Sequence, residues 1–236
     1  MKVSSARFPS LGKLSPSWDL VGPSWRLLVK HFEQVIFFFA LPSLVLLLSG
    51  LLLGDTSHLH HLTNFTNRQR LGIGLMGLSL LWSLVNFAPS LYFRVRLTGG
   101  EQPSLAACYR RGLPYFWRLA GLNLLLGVLL VVGFLLFIVP GIVLLVLFIS
   151  RYYLANYYLV DRNLGIKQAL LQSHHETAPI AGTIWGTVGV GISFSLLAGL
   201  VSAINPIAAV PAVFIQLIGL YIPALRYHEI KQAYTA

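Results

Sequence analysis

Acidic side chains are the scarcest chemistry in this chain. Asp and Glu together number 7 in 236 residues, against 17 Lys and Arg, so general acid–base or two-metal catalysis has few carboxylates to draw on. A single cysteine, Cys108, excludes an intrachain disulfide and any multi-cysteine metal or redox centre. Charged residues make up 10% of the chain, where soluble domains carry about 25%. No P-loop, dinucleotide glycine fingerprint, nucleophile elbow or HExxH spacing occurs. These gaps argue against an enzyme, and they lead us to expect no cofactor and no bound metal.

What is present is apolar. Hydrophobic residues reach 56% and the mean hydropathy is +0.73, far from the composition of soluble domains. The residues from Tyr115 to Ile138 and from Gly141 to Val160 form two runs of about 20 Leu, Val, Ile and Phe-rich positions. At roughly 1.5 Å rise per residue, each is long enough to cross a ~30 Å hydrocarbon layer. Only Val139 and Pro140 lie between them, so Pro140 and Gly141 are expected to form the turn of a transmembrane hairpin, proline being unable to continue the first helix.

The same reading along the rest of the chain predicts an all-α polytopic membrane protein. Six spans are expected at about 32–54, 71–93, 115–138, 141–160, 180–203 and 206–226, arranged as three hairpins. Pro42 is expected to kink the first span. Residues 1–22 read as a flexible basic lead, and 23–236 as one six-helix domain. The first apolar run lies too far into the chain, and lacks the small-residue site, to read as a cleaved signal. Short amphipathic segments begin near Ser24, Ser104 and Ile166, each followed by two spans, so the pattern of amphipathic helix, span, span occurs three times.

The formal charge of +10 is better read as topology than as nucleic-acid binding, because the cations sit in short loops beside apolar spans. Of the 17, only Arg68 and Arg70 fall on the side opposite the rest. The positive-inside bias then places both termini and the amphipathic segments in the cytoplasm.

Polar groups within spans are costly and usually face a bundle interior, a cavity or a partner. Asn86, Asn123, Arg151, Asn156 and Gln216 are the candidates for binding a ligand or lipid. Arg151 lies about ten residues past the Pro-Gly turn. Glu33, Asp161 or a lipid phosphate could balance it, or it could snorkel to the interface among neighbouring tyrosines. His58, His60 and His61 fall in an outer loop beside the sequon Asn64-Phe65-Thr66 and read as solvated. His174, His175 and Glu176 read as interfacial. Small residues recur every four positions in two series, Ala178, Gly182 and Gly186, then Gly191, Ser195, Gly199 and Ala203, and predict a seam for close helix packing.

The run FIVPGIVLLVLFISRYYLANYYLVDRNLGIKQALLQS resembles the signature of the YciC-like bacterial inner-membrane proteins and of the membrane domain attached to some glycerophosphodiester phosphodiesterases. Pro140, Gly141, Arg151, Ala169, Leu170 and Ser173 carry the likeness. It implies six helices and a cell inner membrane location, and supplies no catalytic residue. The expected partners are membrane lipids, other membrane proteins or a second copy of the chain, and no nucleic acid. Two roles fit: a non-enzymatic protein organising lipid or protein partners, or a small transporter or channel with a polar cavity open to the cytoplasm.

Overall fold

A computed structural model describes residues 14–53, 66–204 and 209–235, and among these every regular element is helical. Six helices are long and apolar enough to cross a membrane. The helices are α1 (Val21–Lys30), α2 (Phe32–Val35), α3 (Leu41–Leu53), α4 (Asn67–Thr98), α5 (Leu105–Gly112), α6 (Phe116–Leu136), α7 (Ile138–Leu147), α8 (Ala155–Asp161), α9 (Ile166–Thr177), α10 (Ala181–Ile204) and α11 (Ala209–Thr235). Helices α3 and α4, α6 and α7, and α10 and α11 pack as pairs. The outer-loop histidines and the sequon at Asn64 lie outside the described residues, as does the turn between the last two spans.

Each short amphipathic helix packs on the second span of the unit before it: α5 on α4, and α9 on α8 and the segment just before α8. The first has no preceding unit, and α1 packs instead on α11, the last span. The three units thereby close into a ring. Each contact is made with small residues. Gly112 approaches Pro89 so closely that a Cβ would stand 2.8 Å from its Cα, Ser24 donates to the carbonyl of Ile218 at 2.6 Å, and Ser173 donates to that of Arg151 at 2.7 Å. The receiving spans carry local interruptions that loosen the helical ladder: Pro89 in α4, Pro223 in α11 and a π-helical stretch at Phe148–Tyr152 before α8.

Several expectations shift. The hairpin turn is at Phe137, the one extended residue between α6 and α7, and Pro140 and Gly141 lie in the first turn of α7. Proline is tolerated there because first-turn amides lack intrahelical partners in any case. Gly141 instead lets the ring of Phe134 pass. This hairpin is peripheral, with Leu135 80% exposed and only Gly141 buried in α7. Pro42, the expected kink, follows directly on a π segment at Ile36–Ala40, and Trp82 donates its indole N–H to the carbonyl of Phe37 at 3.3 Å, a group such a bulge frees. The basic lead is not free through Gly22: Ser15 and Ser17 accept hydrogen bonds from Arg226 at 2.8 and 3.2 Å. In α1, Ser24 and Leu28 are buried while Trp25 and Val29 stay exposed, so its buried face is turned from the one the apolar letters suggest.

The end of the bundle where the amphipathic helices sit also holds Arg96, Arg118, Arg162, Arg226 and Lys231, tied by contacts among α4, α6, α8 and α11. We call it the basic end.

Candidate ligand-binding groove

Helix α4 enters the bundle with a polar stripe. Asn86, Ser90 and Arg94 recur at intervals of four, so all three lie on one face. That face borders a cavity of about 290 Å³ between α3, α4 and α11, which also touches Ser43 and Gln216. A second cavity of about 410 Å³ shares Phe87, Arg94, Gln216 and Leu220 with the first and reaches Asn156, Gly191 and Ser195. A third, of about 460 Å³, extends past Gln216 to Gly199 and Ser202. The three adjoin around Gln216.

Among the described residues, Arg94 is the sole charged side chain on these cavities, lining the first two. One of its terminal nitrogens donates to the carbonyl of Leu220 at 3.4 Å, and the guanidinium lies over the ring of Phe39, 5.6 Å from its centre. Its Nε is buried without a hydrogen-bond partner, as is the hydroxyl of Tyr221. No carboxylate among the described residues pairs with it. The walls mix the apolar Phe38, Phe87, Leu46, Val213 and Leu217 with the uncharged polar Ser83, Asn86, Ser90 and Gln216. A cation with an unpartnered donor, set in a groove that joins polar and apolar walls, suits the head of an anionic amphiphile.

The sequence-predicted residues divide. Asn86 is buried, donates to the carbonyl of Trp82 at 2.8 Å and accepts from the hydroxyl of Tyr109. Gln216 is exposed to the groove. Asn123 and Asn156 satisfy each other through reciprocal amide bonds of 3.1 and 3.2 Å, linking α6 to α8, which is how amides join helices in lipid.

Arg151 lines none of these cavities and forms no ion pair with a described residue. The acid expected to meet it, Asp161, accepts instead from Tyr227 and Lys231, both at 2.7 Å, and Glu33 is exposed. What the position supplies is its carbonyl, which takes the hydroxyls of Ser173 and Thr177 at 2.7 and 3.0 Å. The Arg, Ala-Leu, Ser signature is thus a docking contact between α9 and the fourth span.

The small-residue seam is discontinuous. A Cβ at Gly182, Gly191 or Gly199 would meet nothing within 4 Å, whereas one at Gly186 would meet Ser17. The close approach in this pair comes from α11, where a Cβ at Gly219 would stand 3.2 Å from that of Phe194. Gly191 lies at that approach, its carbonyl 3.6 Å from the same Cβ position, and Ser195 and Gly199 border the groove.

Two further clusters escaped sequence reasoning. Glu176, 2% exposed, accepts from the hydroxyl of Tyr158 at 2.6 Å, from Arg162 at 2.9 Å and from Gln172. Burial works to lower the pKa of Arg162, and Glu176 outweighs it, holding the guanidinium above its usual range. Arg226, fully buried, bonds Thr187, Glu229, Ser15 and Ser17. Arg94 itself was passed over because a span ending at Phe93 left it at the edge. Its four-residue spacing from Ser90 and Asn86 was the available signal. Compared with known proteins, the chain matches no family model, no curated protein and no solved structure.

Proposed function

We propose that this integral membrane protein is non-enzymatic, that its basic end and both termini face the cytoplasm of a cell whose inner membrane it spans, and that its groove binds the anionic head of a membrane amphiphile on Arg94. The observation that carries the reading is a guanidinium with an unpartnered Nε as the lone charge, among the described residues, on two cavities of mixed apolar and polar lining that continue into a third. Seven acids in the whole chain, with none of the described ones on the groove, favour binding over catalysis. Membership of the YciC-like group is proposed on the motif from Pro140 to Ser173 alone.

The test is the lipid that stays bound in mild detergent, identified by native mass spectrometry. Arg94→Gln should lose at least tenfold of the bound anionic species, and Arg94→Lys should retain part, since lysine keeps the charge without the planar fork. Undiminished lipid on Arg94→Gln overturns the proposal. A transport role is the second reading, favoured by the way the cavities continue past Gln216 to Ser202. In that case Gln216→Leu would slow anion flux into proteoliposomes while leaving lipid binding at Arg94 intact.

A further inference from the structure

A second cavity system lies on the other side of α4, at the basic end. Its volume is about 360 Å³ and its lining includes Tyr92, Arg96, Arg111, Tyr115, Arg118 and Asn163. Three guanidiniums converge there from α4, α5 and α6. Arg96 donates to Glu101 at 3.0 Å and lies over the ring of Tyr92, 5.3 Å from its centre, yet its Nε is buried without a partner. Arg118 donates to the side-chain oxygen of Asn163 at 3.0 Å. Asn163 holds its place through a left-handed backbone turn, φ 51°, which asparagine tolerates better than most residues. Arg111 is exposed at the end of α5 and makes no ion pair with a described residue.

Opposing charge is thin. Glu101, with 55% of its side chain exposed, is the sole carboxylate bonded to the three arginines among the described residues. Asp161 acts on Arg96 only at a distance, since Tyr227 and Lys231 already engage it. Like charges gathered in a concavity with one weak counterion raise the local anion concentration. The surroundings fix the depth. Trp117 is 80% exposed and Leu113 about half, while the outer face of α6 below them is apolar. Aromatic side chains of this exposure beside a long apolar face mark the membrane interface.

We propose that Arg96, Arg111 and Arg118 form a phosphate-binding site at the membrane interface, shaped for the headgroup of an anionic phospholipid whose chains lie along α6. Arginine forks match phosphate oxygens in pairs, and basic pockets between helices on the cytoplasmic side are where such headgroups bind. The site is separate from the groove at Arg94 and does not depend on it.

The test uses the full chain in phosphatidylcholine nanodiscs, titrated with phosphatidylglycerol or with inorganic phosphate, both in the wild type and in an Arg94→Gln background. Arg111→Gln is the main variant because it breaks no bond to a described residue, and Arg118→Gln is the second. Each should weaken phosphatidylglycerol binding on the order of fivefold, as expected for one cation at a membrane surface. Arg110→Gln, equal in charge change and exposed on the same helix, should alter it by less than about twofold. Arginine-dependent binding of inorganic phosphate without binding of phosphatidylglycerol would identify free phosphate as the ligand and overturn the lipid assignment; arginine-dependent binding of phosphatidylglycerol, whether or not free phosphate competes for it, would support the lipid headgroup. Equal losses for Arg110→Gln and Arg111→Gln, or no loss for Arg111→Gln, would overturn the site. An effect that persists in the Arg94→Gln background separates it from the groove.

Discussion

At the scale of single residues, the buried charges fall into those that hold the fold and those with spare donors. Glu176 belongs to the first kind. Glu176→Leu would strand Tyr158, Arg162 and Gln172, and should cost about 2–3 kcal/mol in thermal or denaturant unfolding. The figure sits at the low end because the Arg162 side chain keeps 29% exposure and can be rehydrated. Glu176→Gln, which still accepts from Tyr158 but lacks the charge, should cost about 1 kcal/mol; no loss for Glu176→Gln would remove the case for an ionic role. Arg151 gives the opposite expectation. Arg151→Leu should leave stability unchanged, whereas Ser173→Ala combined with Thr177→Val should cost more than the two singles added, since only the double variant orphans the Arg151 carbonyl, at about 2–3 kcal/mol. The sequence marked Arg151 correctly as unusual, but letters show side chains, and here the main chain carries the contact. Glu176 was opaque for a related reason. Its partners Tyr158 and Arg162 lie on the preceding helix, and no local spacing announces which face will meet them.

At the scale of elements, helix existence was legible and helix ends were not. Hydrophobic run length located all six spans, because the lipid layer sets a length that few sequences reach by accident. Boundaries moved where polar residues extend a helix: α4 runs from Asn67 to Thr98, beginning with a capping box between Thr66 and Gln69 and carrying Arg94 and Arg96 inside it. The turn was misplaced at Pro140 because proline reads as a break, although it is equally at home in a first turn. Glycines offer the sharpest test at this scale. Gly112→Ala would put a methyl group against the backbone of Pro89 on α4, which cannot rotate away, and should cost about 1–3 kcal/mol. Gly127→Ala, with nothing within 4 Å, should be neutral or slightly stabilising. A mild Gly112→Ala in unfolding measurements would mean that α5 is not seated on α4 as described.

At the scale of the whole molecule, closure of the ring distinguishes this arrangement from a row of three hairpins. The threefold recurrence of amphipathic helix, span, span was visible in the sequence, but the closure of the first short helix onto the last span was not, since it depends on contacts such as Ser24 with Ile218 (|i−j| of 194). Arg226 locks the closing joint. Its side chain is fully buried and reaches Ser15 and Ser17 before α1, Thr187 on α10 and Glu229 on its own helix. Arg226→Met keeps the volume and removes every one of these bonds. It should cost about 3 kcal/mol, partly relieved because the Glu229 side chain is 24% exposed and can turn to solvent. The more specific consequence is local: with the joint open, residues 14–17 should be cut by protease before the bundle unfolds, while Trp18 and Leu20 keep their contacts with Phe194, Val190 and Ile222. Arg26→Met, exposed on α1, should change neither the cleavage rate nor the melting temperature. If Arg226→Met lowers stability but cleavage still tracks global unfolding, the joint belongs to the core of the bundle and the three units do not close through α1.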